Sequence, residues 1–102
     1  MQHSYIDNSV LVTLPPIMNI EAIEELIAEF MALLSPKKQN LIIDASNVED
    51  ITTAGLQLII SLEKTLSAAG CIFQVKGEND LFSSVFKRVG LENFWNGRKY
   101  NG

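Results

Sequence analysis

The chain has one cysteine, Cys71, so it can close no disulfide within itself. That is compatible with a reducing compartment. It also has one histidine, His3, close to the N-terminus, which reads as a bystander. Neither a histidine–cysteine–carboxylate cluster at metal-ligand spacing nor a glycine-rich phosphate loop of dinucleotide or Walker type is present. The sequence therefore offers no nucleophile with a base, no metal set and no cofactor cradle, and a non-catalytic protein with no cofactor and no metal is expected. Basic residues are scarce as well. Twelve acids outnumber eight bases, for a net charge of −4, and the only paired bases are Lys37-Lys38, Lys87-Arg88 and Arg98-Lys99. No basic face for nucleic acid emerges from such a distribution. No apolar run approaches the roughly 18 residues of a membrane span, so direct membrane insertion is not expected. The opening "MQHSYIDNSV" lacks the basic start and apolar core of a signal peptide. A soluble, cytoplasmic protein is the expectation.

What is present suits a packed core. Hydrophobic residues make up 47% and charged residues 20% of 102 positions, enough for one compact domain over 1–102 and not for two. "SYIDNSVLVTLPP" reads as a hairpin, with Asp7, Asn8 and Ser9 as turn residues and Pro15-Pro16 as its end. Asn19 is a candidate N-cap. Beyond it Ile20, Ile23, Ile27, Phe30 and Leu34 recur at helical spacing, with Glu21, Glu24 and Glu25 in the first turns and Ser35-Pro36 as the stop. "NLIIDAS" reads as a buried central strand ending near Asp44. After the loop "SNVEDIT", a second helix is expected from about Thr53 to Ala69, with the stripe Leu58, Ile59, Leu62, Leu66 and Ala69 and a left-handed stop at Gly70. "CIFQV" is the next strand. Asn79 or Asp80 caps a third helix with the stripe Phe82, Val85, Phe86 and Val89, closed by Gly90. The polar tail "NGRKYNG" is expected to fray. The order β-β-α-β-α-β-α predicts an α/β fold with parallel crossovers and one antiparallel edge.

Three places deserve a chemical reading. Cys71 opens a strand and suits core packing, since a free cysteine behaves as a small hydrophobe. Asp44 stands at the end of a central strand, where open α/β sheets place ligands. A phospho-acceptor aspartate of receiver type would need Mg²⁺ and further acids at the end of the first strand, and "SVLVTLPP" supplies none. The plainer role is a hydrogen bond to backbone in the turn. The third place is "VEDITTAGLQLIISL", where Thr52, Thr53, Ala54 and Gly55 stand directly before a long apolar helix pattern. A threonine there serves as a cap. A helix N-terminus is also a site for negative charge, and a phosphate on Thr53 would bring about −1.5 to −2 charges to it.

With "LIIDAS", "NVEDI", "TTAGL" and the downstream "AAGCIFQVKGENDLFSSVFKRVGLENFW", nearly the whole chain resembles the STAS family, the anti-sigma factor antagonist fold. The resemblance implies a mixed four- to five-stranded sheet with three to four helices. In the antagonist branch, the Ser or Thr after the motif aspartate is phosphorylated by a serine/threonine kinase that is also the anti-sigma factor; that position is Thr53 here. Gly55 and Leu56 match the motif's Gly-Leu, and Thr52 replaces its aspartate. Because aspartate caps at least as well as threonine, Thr52→Asp is expected to leave the fold unaltered. The implied docking face comprises Ser46, Asn47, Asp50, Thr52, Thr53, Gly55 and Leu56. The wording "TAGLQLIISL" is similar to bacterial STAS proteins associated with chemotaxis and signalling. A second branch with similar wording is the small cytoplasmic STAS subunit of phospholipid-transport ABC complexes, which docks on the ATPase.

Overall fold

The computed structural model describes residues 3–6, 8–34, 39–77, 80–88 and 90. The expected hairpin is present as β1 (His3–Ile6) and β2 (Ser9–Thr13), paired antiparallel. Its turn holds Asn8 at φ 68°, a left-handed conformation that asparagine tolerates better than most residues. A strand not foreseen from the sequence, β3 (Ile17–Met18), precedes α1 (Ile20–Leu34). Then come β4 (Asn40–Asp44), a second unforeseen strand β5 (Asp50–Ile51), α2 (Thr53–Ala68), β6 (Phe73–Lys76) and α3 (Asp80–Arg88).

The main sheet is mixed and four-stranded, in the order β1-β2-β4-β6. β2 pairs parallel with β4, and β4 parallel with β6, through the helical crossovers that parallel pairing requires. Leu41, Ile42 and Ile43 of β4 are all buried, so the central strand is covered on both faces and carries a continuous apolar run. Its neighbours β2 and β6 alternate buried and half-buried positions. With three helices among the described residues, the α/β architecture matches the STAS expectation.

Two helix faces differ from the periodicity reading. On α1 the buried side chains are Ile23, Leu26, Phe30 and Leu34, whereas Ile20 and Ile27 are 67% and 41% exposed. The segment "IEAIEELIAEFMALL" carries apolar residues around most of its circumference, so more than one stripe fits the 3.6-residue period. On α2 the buried set is Gly55, Leu56, Ile59, Leu62 and Leu66; Leu58 is half-buried and Ala69 is the exposed C-cap. Gly70, at φ 75°, closes α2 as expected: its N–H donates to Ser67 O and the Cys71 N–H to Leu66 O, a Schellman pair. That use of Cys71 delays β6 to Phe73, two residues later than the run "CIFQV" suggests. The Cys71 side chain is half-buried and packs against the core.

α3 begins at Asp80, buries Phe86 and partly buries Val85, and the Gly90 N–H donates to Lys87 O just beyond it. Asp7, Ser35, Pro36, Asn79, Val89, the side chain of Phe82 and the tail from Asn96 to Gly102 lie outside the described residues.

Candidate functional site

The site is built where the first turn of α2 meets the segment that leads into α1. β3 and β5 pair parallel, Ile17 with Asp50 and Met18 with Ile51. Around this short ladder, Pro16 O accepts from the N–H groups of Glu49 (2.6 Å) and Asp50 (3.1 Å). Met18 O accepts twice from one residue: from the Thr52 N–H at 3.3 Å and from the Thr52 hydroxyl at 2.9 Å. The Thr52 Oγ1 also accepts from the Gly55 N–H at 3.2 Å, and Thr52 has the extended backbone of an N-cap (φ −83°, ψ 166°). Thr52 therefore uses its hydroxyl as both donor and acceptor. It caps α2 and straps that cap to Met18.

This geometry revises one expectation. A carboxylate at position 52 could accept from the Gly55 N–H, but it has no proton to give the Met18 carbonyl. Thr52→Asp would leave that carbonyl facing a negative oxygen, so the exchange is not neutral here.

Gly55 is buried, and a Cβ on it would lie 2.9 Å from Ile51 Cγ1 and 3.4 Å from Met18 Cβ. Glycine lets the first turn of α2 settle on the β3–β5 ladder. Leu56 is also buried, at 6% exposure, and joins the core. Of the residues the sequence brought forward, the structure thus places Gly55 and Leu56 inside the packing. Ser46, Asn47, Asp50, Thr52 and Thr53 are exposed.

Thr53 differs from its neighbour. It is the first helical residue of α2, it is exposed, and no described residue hydrogen-bonds its hydroxyl. The first turn of α2 contains no acid, so the positive end of its dipole is uncompensated within the helix. Among the described residues no acceptor meets the N–H of Thr53 or Ala54, as the geometry of a helix start requires.

Asp44 takes the structural role. Its Oδ1 accepts from the Ser46 N–H at 2.9 Å and from the Ser46 hydroxyl at 2.6 Å. Its partner in the register of β2 is Thr13, not an acid, so the receiver constellation is absent there. Gly77, directly after β6, closes over the same turn at φ +68°. A Cβ on it would lie 2.6 Å from Asp44 Oδ1 and 2.9 Å from Ser46 Cβ. The carbonyls of Pro16 and Met18 were missed. A two-residue strand has no periodicity to read, and backbone acceptors leave no trace in residue type. Among the described residues, no helix is long and apolar enough to cross a membrane.

The fold is shared with known structures. The NMR structure of the protein TM1081 superposes with a TM-score of 0.76 at 21% identity, covering 89% of this chain and 74% of that one. A crystal structure of TM1081 from Thermotoga maritima, described as a candidate anti-sigma factor antagonist, gives 0.71 at 23% identity over 90% of this chain and 80% of that one. A sulfate transporter family protein from Wolinella succinogenes gives 0.67 at 13% identity over 92% and 75%. Identities this low speak for the fold alone. No curated protein matches the chain. Residues 2–96 match the family profile of the Mlab STAS domain. The chain belongs to this STAS domain family.

Proposed function

We propose that this chain is a non-catalytic bacterial signalling module of the anti-sigma factor antagonist type. It docks on a serine/threonine kinase that is also an anti-sigma factor, or on an equivalent signalling kinase, and phosphorylation of Thr53 switches the contact. The docking face is the exposed run of Ser46, Asn47, Asp50, Thr52 and Thr53, shaped from beneath by Gly55 and Leu56. One observation carries the reading: two adjacent threonines have divided the work. The Thr52 hydroxyl is engaged on both sides, while the Thr53 hydroxyl is exposed at a helix start without an acid in its first turn. A phosphate added to Thr53 changes the charge of the surface without breaking a bond of the fold.

The test is phosphosite mapping by mass spectrometry after incubation with the cognate kinase and ATP. One phosphate at Thr53, absent in Thr53→Ala, is the expected result. Phosphate confined to Thr52 or Ser46 would contradict the assignment.

A second reading draws on the family match rather than on the geometry. Here the chain is a small cytoplasmic STAS subunit of a phospholipid-transport ABC complex, and the same face docks constitutively on the ATPase. Co-expression with an ABC ATPase, followed by gel filtration, separates the two. A stable complex that forms without kinase and is indifferent to Thr53→Ala favours the transporter reading.

A further inference from the structure

A shallow cavity of about 310 Å³ opens where the chain enters α1. Pro15, Pro16, Ile17 and Ala22 give it apolar walls, and Glu21 and Glu25 line it with carboxylates. The two glutamates stand at i and i+4, so they share one face of α1, and like charges at this spacing repel. Both are exposed, and among the described residues neither carboxylate has a hydrogen bond or an ion pair. Residues 4–36 and 39–63 contain no lysine or arginine, so β3, β5 and α1 supply no cation to relieve them.

The cavity adjoins the α2 N-terminal face. Pro16 O accepts from the Asp50 N–H, and Ile17 pairs with Asp50 in register. A partner seated on Asp50, Thr52 and Thr53 therefore reaches the cavity across one strand spacing, about 4.8 Å. Given the docking face proposed above, on which this assignment rests, we propose that the cavity takes an arginine side chain of the docking partner. Its methylene stem lies on Pro15, Pro16 and Ile17, which is 53% exposed. Its planar guanidinium has donors enough for both carboxylates, whereas the ammonium of lysine is a single point charge. The start of α1 is then read by a cation, and the positive, uncompensated start of α2 by an acidic group of the same partner. A phosphate on Thr53 repels the second contact and leaves the first in place.

The probe is N-acetyl-arginine amide, titrated into the isotope-labelled full chain at low salt and followed by amide chemical shifts. N-acetyl-citrulline amide, which keeps the shape and lacks the charge, is the control. Shifts are expected at Ile17, Asn19 and Ala22, with the citrulline amide at least about fivefold weaker, the upper end for an exposed ion pair. Glu25→Gln should weaken the arginine amide by the same factor. Glu24→Gln, an equal loss of charge one residue earlier and outside the cavity, should leave it nearly unchanged. Both glutamates are exposed, so the melting temperature should hold. The kinase that phosphorylates Thr53 gives a second arm: Glu25→Gln should lose about tenfold in affinity for it, and Glu24→Gln should not. The arginine titration needs no kinase, so its failure strikes this proposal and leaves the Thr53 reading standing. Absence of phosphate at Thr53 strikes that reading and leaves the titration to decide the cavity. Equal binding of the two amides, equal effects of the two variants in either arm, or shifts confined to other residues would overturn the proposal. A wild-type dimer in sedimentation that Glu25→Gln abolishes would overturn it too, because a second copy would then fill the cavity.

Discussion

The two long helices begin beside each other, and they begin differently. Asn19 caps α1 by accepting from the Ala22 N–H at 2.9 Å, and Thr52 caps α2 by accepting from the Gly55 N–H at 3.2 Å. Each cap carbonyl then accepts the first intrahelical bond, from Ile23 and from Leu56. The resemblance stops at that point. α1 follows its cap with Glu21, an acid that neutralises the positive end of the helix, whereas α2 has no acid in its first turn. α2 instead has an exposed Thr53 and a buried Gly55 pressed on Ile51 and Met18. One helix start is completed by the chain's own charges. The other is held tightly in place from below and left electrostatically open above. Rigidity beneath an open, modifiable surface is what a docking site with a switch requires.

The comparison breaks first if the underside of α2 tolerates bulk. Gly55→Val drives two methyl groups toward Ile51 and Met18, and overpacking of this kind costs about 2–3 kcal/mol. A fall in melting temperature of roughly 10–20 °C is expected for a domain of this size. An unchanged melting curve would mean that the close approach at Gly55 is incidental.

The caps give a smaller and graded effect. Thr52→Ala removes a capping bond and a bond to Met18 O, for a loss of about 2 kcal/mol, while Asn19→Ala removes one capping bond, for about 1 kcal/mol. Thr52→Ser keeps both bonds and should lie within about 0.5 kcal/mol of the wild type. Thr52→Asp keeps the cap and loses the donor to Met18, so it should fall between Ser and Ala. Urea unfolding of the four variants checks the order. If Thr52→Asp is as stable as Thr52→Ser, the strap to Met18 contributes nothing.

The smallest stability effect is expected one residue further on. Thr53→Ala removes an exposed hydroxyl with no described partner, and its stability should stay within about 0.5 kcal/mol of the wild type. Its acceptance of phosphate from the cognate kinase should nevertheless vanish. The pair Thr52→Ala and Thr53→Ala then separates fold from function across a single peptide bond.

Much of this was legible in the residues, and the parts that were not share a cause. Strands and helices long enough to show a period were placed well: α1 over Ile20–Leu34, α2 from Thr53, and the central strand ending at Asp44. Their facing was less legible. Ile27 and Leu26 are adjacent and both apolar, and only the packing of α1 against its neighbours shows that Leu26 is the one fully buried. The β3–β5 ladder could not be read, because two residues carry no alternation. Its effect on the site was hidden for the same reason. Thr52 could be recognised as a cap, but its second bond runs to a backbone carbonyl 34 residues away. Gly55 was legible as the glycine of the Gly-Leu pair that opens α2. Its close approach to Ile51 and Met18 became visible only with β3 and β5 in place.

Thr52 holds the fold, and Thr53 is proposed to carry the switch. The most direct test of this division is the affinity of wild type and Thr53→Glu for the kinase partner, measured by calorimetry at low and high salt. The glutamate adds charge beside the exposed Glu49 and Asp50. Thr53→Glu is expected to bind more weakly at low salt, with a deficit that shrinks as salt rises, because exposed charges are screened over about 10 Å at 0.1 M. Equal affinities at both salt concentrations would contradict it and leave Thr53 as one more residue of the first helical turn.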